Sequence, residues 1–260
     1  MRSLDYSLNK YIIQEQAASF KIYIDSILYS NNVFDLVNNV ADQVQTYVFS
    51  GLIRNFLLGY LDNRDVDFVV FDSQDIKLPI SLLRNVSIRK NKFNGYKIEA
   101  KHLTIDIWDI KNTWGILEEN WEASADSLIN SSFFNFSSIL YDYNHGQFLV
   151  SNYFCKFLST HIMEVVYEKN PRIQTCIVNA LYYADKYEFI IGRSLREWVV
   201  RHYDQNLDYR AAQLSRFNQV LYSDNLIDGF VDICKRKEIY QYNTITLIDG
   251  STKIILRFNV

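Results

Sequence analysis

The sequence predicts an α/β chain in two parts: residues 1–150, which alternate helices with strands, and residues 151–260, mainly helical and closing on a β-hairpin. Three observations predict it. β-Branched and aromatic runs punctuate the first half, helical periodicity takes over from about residue 151, and two β-branched runs flank Asp249-Gly250 near the end. A chain of 260 residues is about 1.7 domains of ordinary size, which fits two parts.

Taken in order, residues 14–43 carry apolar side chains at helical spacing (Ala17, Phe20, Ile24, Ile27, Leu28, then Val33, Leu36, Val37, Val40) and read as two helices. The segment "TYVF", 46–49, is a strand that runs directly into Ser50-Gly51 and an amphipathic helix, "LIRNFLLGYL", with Gly59 on its C-terminal side. "DVDFVVF", 65–71, and "LTIDIWDI", 103–110, are strands separated by a mixed segment, and 132–141 and 147–150 extend the α/β part. Helices follow in "NALYYADKYEF", "RSLREWVVRHY", "YRAAQLSRFNQVLY" and "LIDGFVDICKRKE". The terminal hairpin, "TITLIDGSTKIILRF", is expected to turn at Asp249-Gly250, a dipeptide suited to positive backbone angles.

Composition narrows the class. Apolar residues make up 48%, aromatics number 40, and Gly plus Pro total 10, which excludes collagen-like, linker and low-complexity chains. A net charge of −3 means that no whole-protein positive field attracts polyanions, so any nucleic-acid contact must use a local patch. Basic residues of the helical part, such as Lys186, Arg196 and Arg210, are interspersed with Asp185, Glu197 and Asp208, and the expectation is a mixed solvated face. Cys155, Cys176 and Cys234 are widely spaced without a CxxC and are expected to be buried thiols in a cytoplasmic protein. The N-terminus is broken by Asp5, Lys10 and Glu15, so neither a signal peptide nor a membrane partner is expected. The four histidines lack metal-ligand spacing, and oligomeric state leaves no trace in the sequence.

The chemistry-bearing residues lie in the first half. Asp65 and Asp67 are two apart in a strand and therefore project from one face, with Val66 and Phe68 opposite. Two adjacent carboxylates repel, and a hard divalent cation with oxygen ligands is the usual way to keep both ionised. Chance alone gives about 1.5 such Asp pairs in a chain of this composition, so the weight comes from context. The pair follows Ser50-Gly51 at a strand-to-helix turn, and a third acid, Asp106, lies in another strand; Asp109, on the opposite strand face, is its alternative. A Gly at the turn lets backbone amides approach a triphosphate, Ser50 can donate to it or cap the helix, and the start of helix 52–60 adds a favourable dipole. Arg54 either reaches the triphosphate or pairs with a surface acid. Three carboxylates holding Mg2+ or Mn2+ would then suit nucleotidyl transfer.

The stretch "SGLIRNFLLGYLDNRDVDFVV" resembles the signature of the CCA-adding transfer-RNA nucleotidyltransferase and bacterial poly(A) polymerase family, GGxVRDxLLG followed by DxD. Gly51, Arg54, Leu57, Leu58, Gly59, Asp65 and Asp67 match in order; Ser50 replaces the first Gly, and Asn55 the Asp. "KIEAKHLTIDIWDIKNTW" resembles the strand that brings the third carboxylate, here Asp106. The resemblance implies a polymerase beta-like nucleotidyltransferase head with a mixed sheet, in which Asp65, Asp67 and Asp106 are catalytic and hold the metal while Ser50, Gly51 and Arg54 bind the nucleotide. It further implies an NTP substrate, ATP or CTP, and a tRNA-like RNA 3′ end as acceptor. Transfer to a protein or small molecule, and a non-catalytic nucleotide-binding head, are the alternatives. "SSFFNFSSILYD", 131–142, stands where the family has RRDFTINALAYD and keeps Phe134, Tyr141 and Asp142 but neither arginine nor the acid. The stretch resembling the neck helix has no aligned counterpart of the family's base-reading Glu-Asp-x-x-Arg and offers Asn170, Arg172, Asn179 and Tyr182 near that place, so relaxed or one-sided base use is expected.

Overall fold

The computed structural model describes residues 6–71, 86–91, 93–236 and 244–259. The chain folds into two compact units, one of Met1–Ser132 with Phe136–Leu158 and one of Phe133–Asn135 with Ser159–Val260.

The first unit begins with three helices, α1 (Tyr6–Glu15), α2 (Ala17–Ser30) and α3 (Phe34–Gln43). α2 and α3 are the two expected from periodicity. α1 is additional: only Ile13 of its apolar positions is fully buried, and Leu8, Tyr11 and Ile12 are exposed, so its hydrophobic stripe is weak. Then come β1 (Thr46–Phe49), α4 (Gly51–Leu57), β2 (Asp65–Val70), β3 (Ser87–Lys90), β4 (Tyr96–Glu99) and β5 (Thr104–Asp109). α5 (Trp114–Glu119), α6 (Ala125–Asn130), β6 (Ile139–Asp142), β7 (Gln147–Val150) and α7 (Asn152–Thr160) follow. Several of these depart from the sequence expectation. The helix after Ser50 stops at Leu57 because Gly59 takes φ +80°. The mixed segment contains the β3–β4 hairpin, although residues 72–85 of it lie outside the described residues. Of the segments expected to extend the α/β part, 132–141 contributes a strand only from Ile139, and 147–150 is β7.

The seven strands form one mixed sheet in the order β3-β4-β5-β2-β1-β6-β7, parallel only between β2 and β5. Register aligns residues in rows across it, and the two faces differ. On one face Phe148, Tyr141, Val48, Phe68, Ile107 and Tyr96 form a row. α2 packs here: Phe20 meets Tyr141 and Phe148 with ring centroids 4.7 and 5.4 Å apart. Each fully buried side chain of this kind contributes about 1.5–3 kcal/mol. The other face is apolar at one end, where Val69, Trp108 and Leu140 pack with Ile116 of α5 and Leu128 of α6, and polar at the other.

The second unit contains β8 (Ile162–Met163), α8 (Ile173–Lys186), β9 (Ile190–Ile191), α9 (Arg193–His202), α10 (Tyr209–Phe217), α11 (Asp224–Lys235), β10 (Thr244–Asp249) and β11 (Thr252–Arg257). It is mainly helical, with a core that includes Trp198, Leu181, Phe189 and Phe230. The terminal hairpin forms as expected, but the turn is one residue later: Asp249 pairs with Thr252, and the loop residues are Gly250, at φ +57°, and Ser251. All three cysteines are buried free thiols, and burial pushes Cys176 and Cys234 up to about 12. Among the described residues no helix is long and apolar enough to cross a membrane.

Candidate active site

The polar end of the sheet face is built by register. Phe49 of β1 is opposite Asp67 of β2, Asp67 is opposite Asp106 of β5, and Asp106 is opposite Lys97 of β4. Arg89 of β3 continues this row, and Leu140 and Leu149 complete it on the other side. Residues aligned in a row share a face, as do residues two apart along a strand. Asp65, Asp67, Thr104, Asp106, Lys97 and Glu99 therefore face the same way. The sheet thus brings Asp65, Asp67 and Asp106 to one face, Asp67 and Asp106 as direct neighbours.

The two acids left open by the sequence lie in different surroundings. Asp109 lies on the opposite face, is buried, and is used locally: its carboxylate accepts from the Lys111 N–H at 3.0 Å and pairs with Lys111 Nζ at 3.1 Å. Asp106 is partly exposed and held by the β3–β4 hairpin. Asn91 Nδ2 donates to Asp106 Oδ1 at 3.2 Å, and Lys97 Nζ stands 3.4 Å from Oδ2. Asn91 is itself fixed, accepting the N–H groups of Phe93 and Gly95 and donating to the Tyr96 carbonyl.

Ser50 and Gly51 follow Phe49 and so emerge beside the aspartate row. The Ser50 N–H donates to the Ile139 carbonyl at 3.2 Å, which ties the turn to β6. Ser50 holds φ 57° and ψ −94°, and its side chain makes no cap bond to α4. The space over Gly51 is open, since a Cβ built there meets no described atom within 4 Å. α4 is only two turns long, so its dipole adds less than a helix over 52–60 would. Arg54 is buried and lies with its guanidinium 5.0 Å over the Phe136 ring. Its Nε and Nη2 donate to Asn55 Oδ1 at 3.0 and 2.7 Å. Asn55 then donates to Asn63, and Asn63 to the Tyr23 hydroxyl. Burial raises the Tyr23 phenol, so it remains neutral within this chain of hydrogen bonds.

A divalent ion at this face would find hard oxygen donors of the type Mg2+ and Mn2+ prefer. The donor chemistry fits, but the carboxylates do not form a closed cage: among the described residues no three His, Cys, Asp or Glu side chains converge closely enough to hold a metal. Glu99, Lys97 and Asn91 were missed by sequence reasoning. The alternation in "YKIE", with Ile98 fully buried, was the available signal for a strand there.

The positions where the resembled family carries polar residues are occupied here by packing and local bonds. Ser131 Oγ donates to the Leu128 carbonyl, Ser132 Oγ to the Ser137 carbonyl, and Phe133 packs edge-on against Trp198. On and before α8, Asn170 accepts the Arg172 N–H and Tyr182 is tilted against Phe217 at 4.6 Å. Asn179 Oδ1 is buried without a hydrogen-bond partner among the described residues. A basic groove formed by Arg196, Arg201, Lys235 and Arg236 also contains Glu197. Glu168 and Asp232 pair with Arg201 and Lys235, which leaves the groove little net field.

No protein-family model matches the chain, and no curated protein does. Solved structures do. A CCA-adding enzyme in its apo form I aligns with TM-score 0.56 and 15% identity over 81% of this chain and 53% of that one. The Thermotoga maritima CCA-adding enzyme complexed with tRNA_CCA aligns with TM-score 0.55 and 16% identity over 87% and 54%. A CCA-adding enzyme in complex with CTP aligns with TM-score 0.54 and 17% identity over 75% and 48%. The chain spans about half the length of these proteins. With a mixed seven-stranded sheet, a helical second unit and this alignment, the chain has the fold shared by CCA-adding nucleotidyltransferases, in a divergent form.

Proposed function

We propose that the chain is a metal-dependent nucleotidyltransferase that moves a nucleoside monophosphate from an NTP to an RNA 3′ end. The observation that carries this reading is the register pairing of Asp67 with Asp106, with Asp65 on the same face and the Ser50-Gly51 turn at the end of the adjoining strand. Asp65, Asp67 and Asp106 would hold Mg2+ or Mn2+. When bound, the ion neutralises the triphosphate and the leaving pyrophosphate. The turn amides and the Ser50 hydroxyl bind phosphate oxygens at the open space over Gly51, and the Phe136-stacked Arg54 gives that end of the site positive charge. The CTP and tRNA_CCA bound to proteins of the same fold support a nucleotide substrate, CTP or ATP, and a tRNA-like acceptor.

Base selection rests on different groups. The stretch on and before α8 offers amide and phenol groups in place of a paired acid and arginine, so base use is relaxed or one-sided rather than an ordered C, C, A addition. A second reading, a head that binds nucleotide without chemistry, draws on Ser131, Ser132 and Phe133, whose polar counterparts in the resembled family are replaced by local bonds and packing. One incubation separates these. Each labelled NTP is supplied with Mg2+ or Mn2+ and total cellular RNA and protein: label on RNA is expected, label on protein reassigns the acceptor, and no label with any triphosphate contradicts the proposal.

A further inference from the structure

We propose that Lys97 is a built-in counter-cation for the acidic face, one that holds Asp106 until a divalent ion displaces it, so that metal loading is a competition between the ion and Lys97. This rests on the reading that Asp65, Asp67 and Asp106 form the metal face, and it extends that reading to how the face is loaded.

The placement of Lys97 is fixed by backbone register. It is the direct cross-strand partner of Asp106 in the antiparallel β4–β5 pair, so its side chain must lie on the aspartate face. Its ammonium stands 3.4 Å from Asp106 Oδ2, with both side chains partly exposed at 30% and 25%. That distance exceeds the roughly 2.7–2.9 Å of a tight charge-assisted hydrogen bond, so the contact is attractive but easily exchanged. The other oxygen is engaged separately by Asn91, whose amide is fixed by four further backbone groups: those of Phe93, Gly95, Tyr96 and Ile107. Asn91 therefore keeps the carboxylate oriented whether or not Lys97 stays. Another cation of the hairpin, Arg89, is occupied differently, pairing with Glu99 at 2.7 Å on the sheet edge. Among the described residues, Lys97 is thus a cation seated on the aspartate row.

The energetic consequence has a definite sign. A divalent ion binding among the three aspartates must separate Asp106 from Lys97 and then tolerate a positive charge a few ångströms away. Both effects lower the affinity of the face for the ion. In exchange, the three like charges are partly neutralised before the ion arrives, which limits their repulsion in the folded chain.

Mn2+ binding to the full chain, read from the loss of the free aquo-Mn2+ electron paramagnetic resonance signal, tests this without reference to turnover. Lys97→Met keeps the apolar stem and removes the charge; it is expected to bind Mn2+ about tenfold more tightly than the unsubstituted chain. Lys97→Arg, which retains the charge, is expected to stay within about twofold of it. Asp67→Ala should abolish high-affinity binding. Equal or weaker binding by Lys97→Met, with the Asp67 dependence intact, would overturn the role of Lys97 alone. Absence of Mn2+ binding that depends on Asp67 in both the unsubstituted and the Lys97→Met chains would remove the metal face, and this proposal with it.

Discussion

Ser50 occupies backbone angles, φ 57° and ψ −94°, that side-chain-bearing residues seldom adopt, at the point where β1 turns into α4. Such a conformation costs of order 1–3 kcal/mol and persists only where the surroundings impose it. Here the Ile139 carbonyl fixes one side and the first α4 hydrogen bond, from Arg54 N–H to the Ser50 carbonyl, fixes the other. Ser50→Gly is therefore expected to stabilise the chain by about 1 kcal/mol after the entropy cost of glycine, measured as a higher urea midpoint. Gly51 poses the converse case. Its position is sterically open and its φ is not positive, so Gly51→Ala is expected to leave the urea midpoint unchanged or slightly higher while lowering NTP affinity at least tenfold in calorimetric titration. Unchanged NTP binding by Gly51→Ala would remove the turn from the phosphate site. The sequence revealed the Ser-Gly turn and the two adjacent aspartates because strand alternation and a strand-to-helix switch are local patterns. The strain at Ser50 was hidden, since it depends on where β6 lies.

At the level of elements, the β3–β4 hairpin decides how Asp106 is presented. Gly95 lies against β5 so closely that a Cβ would stand 1.9 Å from the Ile107 carbonyl oxygen. No side chain can be added without moving the hairpin away from the strand that bears Asp106. Gly95→Ala is expected to destabilise the chain by about 2–3 kcal/mol, seen as a lower urea midpoint, and to disrupt the Asn91 and Lys97 contacts with Asp106. This hairpin was the least legible part of the candidate site. Ser87–Lys90 carries a single apolar residue, Ile88, and Tyr96–Glu99 is only four residues long, so an edge pair of this kind gives little periodic signal. The parallel pairing of β2 with β5 was also not readable from either strand alone, because it depends on the crossover between them. β1, β2 and β5 were legible because their buried faces are dense in Val, Ile, Phe and Trp.

Across the whole molecule, the core is rich in tyrosines whose phenols must stay neutral. Burial, with the nearby Asp25 and Asp142 carboxylates, pushes Tyr141 up to about 12; burial does the same for Tyr209. Burial and adjacent aspartates raise Tyr143 and Tyr222 as well. The folded pKa of each lies above the unfolded value near 10, so the neutral form favours folding fully below pH 10; the contribution of Tyr141 and Tyr209 is lost as pH rises through about 12, and that of Tyr143 and Tyr222 at higher pH still. Urea midpoints are expected to be level between pH 8 and 9.5 and to fall steeply above pH 10. Tyr141→Phe, which cannot ionise, should show a shallower fall, and an equal fall would mean that Tyr141 does not contribute.

Whether the aspartates on one sheet face carry nucleotidyl transfer is decided by a single-turnover comparison. Labelled NTP, Mg2+ and an RNA acceptor are mixed with the unsubstituted chain, Asp65→Ala and Asp67→Ala, each first shown to unfold at an undiminished urea midpoint. Transfer to the RNA 3′ end by the unsubstituted chain is expected, with a loss of about a thousandfold or more in each variant, equivalent to about 4 kcal/mol of transition-state stabilisation. Transfer at the unsubstituted rate by both folded variants would contradict it.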